Sequence, residues 1–300
     1  MSHRRKHLEF LKKTAVSAAR GGDFRRALEL WEDGLGLARA WKDREYEDLF
    51  ACNQATTLIE MSRFDFDLTS IKSIILRNPS SANGALATYV CALTHEARGE
   101  YERAASYARS SLHRARELAH SDLTAGSLNL LADLELKEGH FVEALPLFEE
   151  SLARLRSSGE PEGTLAGIAL DNIGYCHIAL DRVELGAGFV SRALEVLEAS
   201  GARHETDYPC LDLCFASLKR EDPEEAGRWG AKALSLGEEF RREDVVKNAH
   251  YLLAEACAEL GQDEEAERHY DALARYYPDF PALKNYLRQI SLVEMINLRA

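Results

Sequence analysis

Residues 127–152 read SLNLLADLELKEGHFVEALPLFEESL. Apolar residues recur three and four apart in both halves of this stretch, which argues for two amphipathic helices. Gly139 separates the halves, where a helix end calls for a positive φ that glycine adopts at little cost. Phe141 follows the turn and is placed to fold back onto the pair. Ala132 and Ala144 are small, so the two helices can approach closely.

Ala132 is one of seven small residues, Ala15, Ala55, Ala92, Ala132, Gly174, Cys214 and Ala254, spaced 40, 37, 40, 42, 40 and 40 apart. A second small residue follows each by twelve positions (Ala27, Ala104, Ala144, Gly186, Ala226, Ala266), with Asp67 the exception. A fixed period of this length means a stacked array, each unit burying its apolar face against its neighbours. The turn grammar repeats as well: Gly22-Asp23-Phe24, Gly99-Glu100-Tyr101 and Gly261-Gln262-Asp263 match Gly139. Ser62-Arg63-Phe64, Asp181-Arg182-Val183 and Glu221-Asp222-Pro223 replace the glycine in the other units.

These features resemble the tetratricopeptide repeat, in a form of about 40 residues per unit rather than 34. The resemblance implies an all-α, right-handed superhelix (an α-α solenoid) of about seven helix-turn-helix repeats. The expected domain is single and runs over 1–300. Its repeats fall near 8–42, 43–79, 80–119, 120–159, 160–201, 202–240 and 241–278. The amphipathic segment with Leu283, Tyr286, Leu287, Ile290, Val293 and Ile296 reads as a capping helix over 281–298, because an array needs its last interface covered.

Punctuation agrees. Asp222-Pro223-Glu224-Glu225 is an N-cap with a first-turn proline and acids, and Ser80-Ser81 and Ser121-Asp122 can cap first helices. Pro146 is expected in the first turn or so after Gly139, where a missing N–H costs little. Pro79, Pro161 and Pro278 fall between repeats.

Composition narrows the function. With 46% hydrophobic residues the chain can supply a continuous core. No apolar run is long enough to span a membrane, and the basic stretch Met1–Lys13 lacks the apolar region of a secretory signal; a cytoplasmic location is expected. A net charge of −13 speaks against general nucleic-acid binding. Charge is uneven: residues 1–30 hold eight Lys/Arg against three Asp/Glu, and 221–271 hold fifteen Asp/Glu against six Lys/Arg. Such ends could steer a partner or a second copy. The six cysteines read as small core residues; Cys210 and Cys214, with His204 nearby, offer too few ligands for a structural zinc site. His95 and His177 occupy equivalent repeat positions, which speaks for packing. No hydrolase, phosphate-loop, dinucleotide or zinc-protease motif is present, so neither an enzyme nor a cofactor is expected.

The resemblance places a partner on the inner face made by the first helices. Residues three before the small one, and one after it, share a side of each helix. The candidate groove is Thr56, Tyr89, Leu93, Asn129, Asp133, Asp171, Tyr175, Phe215, Tyr251 and Glu255, with Asn53 and Asn172 two before the small residue. Tyrosines offer rigid contact area with a polar tip. Asparagine can both donate to and accept from a bound peptide backbone. The acids favour a protein or peptide with basic and apolar residues. The basic residues of a chaperone-tail clamp are not arranged here. The expected function is a non-catalytic binding scaffold or adaptor. The alternative is a regulatory sensor for a peptide or small ligand in a bacterial signalling or transcription-control pathway. With the first repeat starting near residue 8, no DNA-binding segment is expected before it.

Overall fold

A computed structural model describes residues 3–157, 163–277 and 279–300. Pro161, Pro278 and most of the Gly159–Gly163 loop lie outside the described residues. Those residues form α-helices and two short 3-10 turns, with no strand among them. They gather into two compact units, one of Met1–Glu135 with Pro146–Leu165, the other of Leu136–Leu145 with Ala166–Ala300.

The first unit holds α1 (His3–Arg20), α2 (Phe24–Trp41), α3 (Arg44–Glu60), α4 (Leu68–Arg77), α5 (Ala82–Ala97) and α6 (Tyr101–Glu117). It also takes in most of α7 (Ser121–Lys137) and α8 (Phe141–Ser157). Trp31, Phe50, Leu8 and Leu11 form one buried cluster; Cys52, Ala55, Ile71 and Val90 belong to the next. The second unit holds nearly all of α9 (Thr164–Ala179), then α10 (Val183–Ala199), α11 (Asp207–Lys219), α12 (Pro223–Phe240), α13 (Glu243–Glu259), α14 (Asp263–Ala272) and α15 (Phe280–Leu287).

The small residues sit where the period places them. Gly174 and Gly186 face each other between α9 and α10: a Cβ built on Gly186 would lie 2.5 Å from the Gly174 carbonyl oxygen. Ala15, Ala55, Ala92, Ala132, Cys214 and Ala254 are all buried.

One turn geometry closes most of the helices. At Gly22 the N–H reaches back to Ala19 O (3.0 Å) and the next N–H, of Asp23, to Ala18 O (3.0 Å). This Schellman pairing satisfies carbonyls that the helix end would leave open. Gly99, Gly139 and Gly261 share the positive φ of Gly22. Where the repeat lacks glycine, Ser62, Asp181 and Glu221 take the same left-handed conformation, at φ 53°, 60° and 59°. An L-residue there costs about 1–2 kcal/mol, and glycine returns about 0.5–1 kcal/mol of that as chain entropy. Glu221→Gly is therefore expected to stabilise the protein by about 0.5 kcal/mol, read as a higher midpoint in urea with an unchanged slope.

Four sequence expectations are corrected. Asp67, the exception among the small residues, is the N-cap of α4: its carboxylate accepts from Thr69 N at 2.9 Å. The second helix of that repeat therefore starts late and has only 10 residues. Pro146 lies in the second turn of α8, which starts at Phe141, beyond the positions where a missing N–H costs little: the Val142 carbonyl loses its helical donor. Ser121-Asp122 are the first residues of α7 rather than its cap; His120 Nδ1 accepts from Leu123 N at 3.4 Å instead. Asp222 and Ser81 do cap, accepting from Glu225 N at 2.9 Å and Gly84 N at 3.0 Å. The helix expected over 281–298 stops at Leu287. Ile290 N still reaches Tyr286 O at 3.1 Å, but Leu292 N turns away to the hydroxyl of Tyr251 at 2.7 Å.

Candidate functional site

Beyond α15 the chain runs irregularly through residues 288–300. Within the second unit it lies against α13, α11 and α9, the first helices of three successive pairs. Tyr251 Oη accepts from Leu292 N (2.7 Å), and Asn248 Nδ2 donates to Leu298 O (2.9 Å). Tyr175 Oη accepts from Leu298 N (2.7 Å) and donates to Asn297 Oδ1 (2.9 Å). The Asn297 amide in turn donates to Leu136 O at 2.8 Å. Side chains of the helices thus take over backbone groups that a helix would otherwise satisfy. Val293 and Leu298 are buried, whereas Met295 is 68% exposed.

The firmest contact is at Arg299. Its guanidinium donates twice to Asp212, at 3.1 and 2.7 Å, and once to Asp171 at 3.3 Å. It also stacks between two rings, 4.5 Å from the Tyr175 centroid and 4.3 Å from that of Tyr208. Each of α9 and α11 supplies one acid and one tyrosine four residues apart, so both side chains share a helix face. The pocket suits a planar, bidentate, stacking cation, which is arginine rather than lysine.

Burial shapes the charges. The Asp212 side chain is fully buried, and burial pushes its carboxyl up to about 6 against the pull of Arg299. Asp171 is raised too, by burial and then by the Asp212 charge. Burial works against the charge on Arg299, but Asp212 and Asp171 outweigh it and hold its pKa above the ordinary value. Unfolded, an aspartate titrates near 3.9. Between about pH 4 and 6 the native state thus keeps a proton that the unfolded chain has released, so stability from Asp212 falls as pH rises through that window and is level above it. Urea melts from pH 4.5 to 7.5 check this: the stability of wild type relative to Asp212→Asn is expected to decline up to about pH 6 and then stay flat.

The structure divides the sequence-derived residues between the units. In the second, Asp171, Tyr175 and Tyr251 touch segment 288–300. Phe215 is 2% exposed and packs 6.2 Å from the Tyr175 ring. Glu255 is buried and accepts from Tyr270 Oη at 2.8 Å; Asn172 is buried as well. In the first unit, Asn53 Nδ2 and Thr56 Oγ1 donate to their own helix, at Leu49 O (2.9 Å) and Cys52 O (3.1 Å). Tyr89 and Leu93 of α5 pack beside Leu130 of α7. Asn129, 5% exposed, has no hydrogen-bond partner for its side-chain amide among the described residues; Asp133 is half-buried one turn on.

Sequence reasoning missed Asp212, Tyr208, Asn248 and the segment itself. Asp212 stands two before Cys214, the repeat position of Asn53 and Asn172, so a stricter use of the period would have included it. No period flags Tyr208, Asn248 or residues 292–299.

Other candidates are structural. His95 and His177 each stack on the aromatic twelve residues later, Tyr107 at 5.2 Å and Phe189 at 5.6 Å. All six cysteines are buried, and burial pushes Cys210 up to about 12. At the basic end, Arg5 pairs with Asp43 (2.7 Å), Lys12 with Glu9 (2.8 Å) and Arg26 with Glu29 (2.9 Å), which locally offsets that charge. No helix among the described residues is long and apolar enough to cross a membrane.

No protein-family model matches the sequence, and no curated protein matches it. Solved structures do. A Rap protein complexed with competence and sporulation factor has a TM-score of 0.66 at 14% identity, over 94% of this chain and 79% of that one. The apo form of RapI has a TM-score of 0.61 at 14% identity, over 90% and 97%. BtubC from P. vanneervenii has 0.56 at 20% identity, over 73% and 88%. The chain has the tetratricopeptide-repeat fold. At these identities the likeness concerns the fold of the helix pairs, and the repeat positions derived from the sequence are the ones at which its helices meet.

Proposed function

We propose that this chain is a non-catalytic, cytoplasmic scaffold that holds an extended peptide segment of a partner on the face of its first helices. The observation that carries the reading is the manner in which Tyr175, Tyr251 and Asn248 hydrogen-bond the backbone of an irregular segment. That is recognition of peptide groups by fixed side chains. The same residue types stand on the first unit at Tyr89, Asn129 and Asp133. There the buried Asn129 amide carries an unmet capacity to donate and accept, a state that costs about 1–3 kcal/mol until a partner supplies the bonds. Asp133 selects for basic residues in that partner and steers their approach.

Asn129 is the test. Asn129→Leu removes the unmet polar group and is expected to stabilise the protein by about 1 kcal/mol. The same change is expected to weaken binding of peptides selected from a displayed random library on the full chain by about tenfold, the loss of one good hydrogen bond. Selected peptides that bind Asn129→Leu as tightly as wild type would exclude the first-unit face.

A regulatory sensor is the second reading. It is favoured by the fold shared with a Rap protein that was itself complexed with a factor. The two readings part on whether a bound peptide alters affinity for a second protein.

A further inference from the structure

We propose that residues 292–299 are an internal ligand: they occupy the first-helix face of the second unit in place of an apolar peptide bearing arginine, and such a peptide displaces them. The inference rests on reading the first-helix face as a peptide site.

Four observations carry it. The segment has no α-helix of its own; side chains of α13 and α9 take its Leu292 N–H and both backbone groups of Leu298, while the Leu292 carbonyl closes a turn within the segment. It is held at points rather than throughout: Val293, Leu298 and Arg299 are anchored and Glu294 pairs with Lys219 at 3.2 Å, while Met295 between them is 68% exposed. The pocket has the chemistry of one particular guest. Two buried carboxylates and two tyrosine rings converge on a single guanidinium. Without a cation those carboxylates would face each other unpaired, a costly state that selects for a charged guest. Finally, Asp171 Oδ1 is buried without a hydrogen-bond partner among the described residues. The segment therefore leaves part of the pocket's accepting capacity unused, as a stand-in would.

Tethering sets the size of the effect. A segment joined by a short link presents itself at an effective concentration of about 1 mM. If the free segment binds with a Kd of about 10 μM, the face is closed about 99% of the time, and a competing peptide sees an affinity reduced about 100-fold.

The experiment uses the full chain and a fluorescein-labelled synthetic peptide spanning Ile290–Ala300. Arg299→Ala with Leu298→Ala removes both anchors near the end of the segment. By fluorescence anisotropy the peptide is expected to bind this double variant at least tenfold more tightly than wild type. Adding Asp212→Asn should abolish that gain, and a peptide with lysine for its arginine should bind several-fold more weakly. Equal binding to wild type and double variant overturns the proposal, as does no binding to a double variant with the wild-type circular dichroism spectrum. Hydrogen exchange on wild type guards against a variant that does not fold. The Leu292 and Leu298 amides should exchange at least 100-fold faster than those in the middle of α9 and α11. Exchange of all of them at one common rate overturns it too. Because Asn129 lies in the first unit, failure here leaves the Asn129 test of the general reading intact.

Discussion

Gly186→Ala is expected to destabilise the protein by about 3 kcal/mol, although alanine is the better helix former by about 1 kcal/mol. Packing decides the sign. The added Cβ would lie 2.5 Å from Gly174 O, 2.6 Å from Ile178 Cγ1 and 2.9 Å from Ile178 N. Two of these three are backbone atoms, so relief requires α9 and α10 to separate, which loosens every contact along the pair. Gly188, two residues on in the same helix, provides the control. A Cβ there meets nothing within 4 Å, so Gly188→Ala is expected to gain about 0.5–1 kcal/mol from propensity alone. Thermal melts of the two variants should move in opposite directions. A stabilised Gly186→Ala would show that the helices do not meet at this point.

Trp31→Ala is expected to cost about 3–5 kcal/mol, the range for emptying an aromatic site in a core. Trp31 is 2% exposed, its ring lies 5.8 Å from that of Phe50, and its Nε1 donates to Thr57 Oγ1 at 3.0 Å. The side chain thereby joins α2 to α3 by both packing and a buried hydrogen bond. Against a total stability of about 5–15 kcal/mol, this is a large share. Trp31→Phe separates the two contributions: most of the apolar contact stays, the hydrogen bond goes, and about 1–2 kcal/mol is the expected loss. Thr57 also donates to Asn53 O at 3.0 Å, so it is not left stranded. Hydrogen exchange should locate the damage in the first unit, with α11 to α13 little affected.

These predictions also mark what the sequence makes legible. Gly174 and Gly186 stand out by the period, and the period works because two backbones can meet only where both side chains are small. The turns are legible for a similar reason: a left-handed residue is needed at each, and glycine marks it in most repeats. Asp67 breaks the pattern because it caps a helix instead of lining one. The arginine pocket is only half legible. Asp171 and Tyr175 follow from repeat positions, but Tyr208 and the guest do not. Residues 288–300 carry helix-like apolar spacing. What overrides it is tertiary: hydroxyl and amide groups on neighbouring helices compete for the backbone from Leu292 onward. No local pattern encodes that competition, since the competing groups lie more than forty residues away in the chain.

The buried thiols have a practical use. Alkylating reagents attack thiolates at the surface, and all six native cysteines are buried. A single cysteine introduced on the outside can therefore carry a dye or spin label with the native set left in place. Met295, 68% exposed at the crest of the irregular segment, offers such a position. A label there, paired with one on the outer side of α12, would report the coming and going of that segment one molecule at a time.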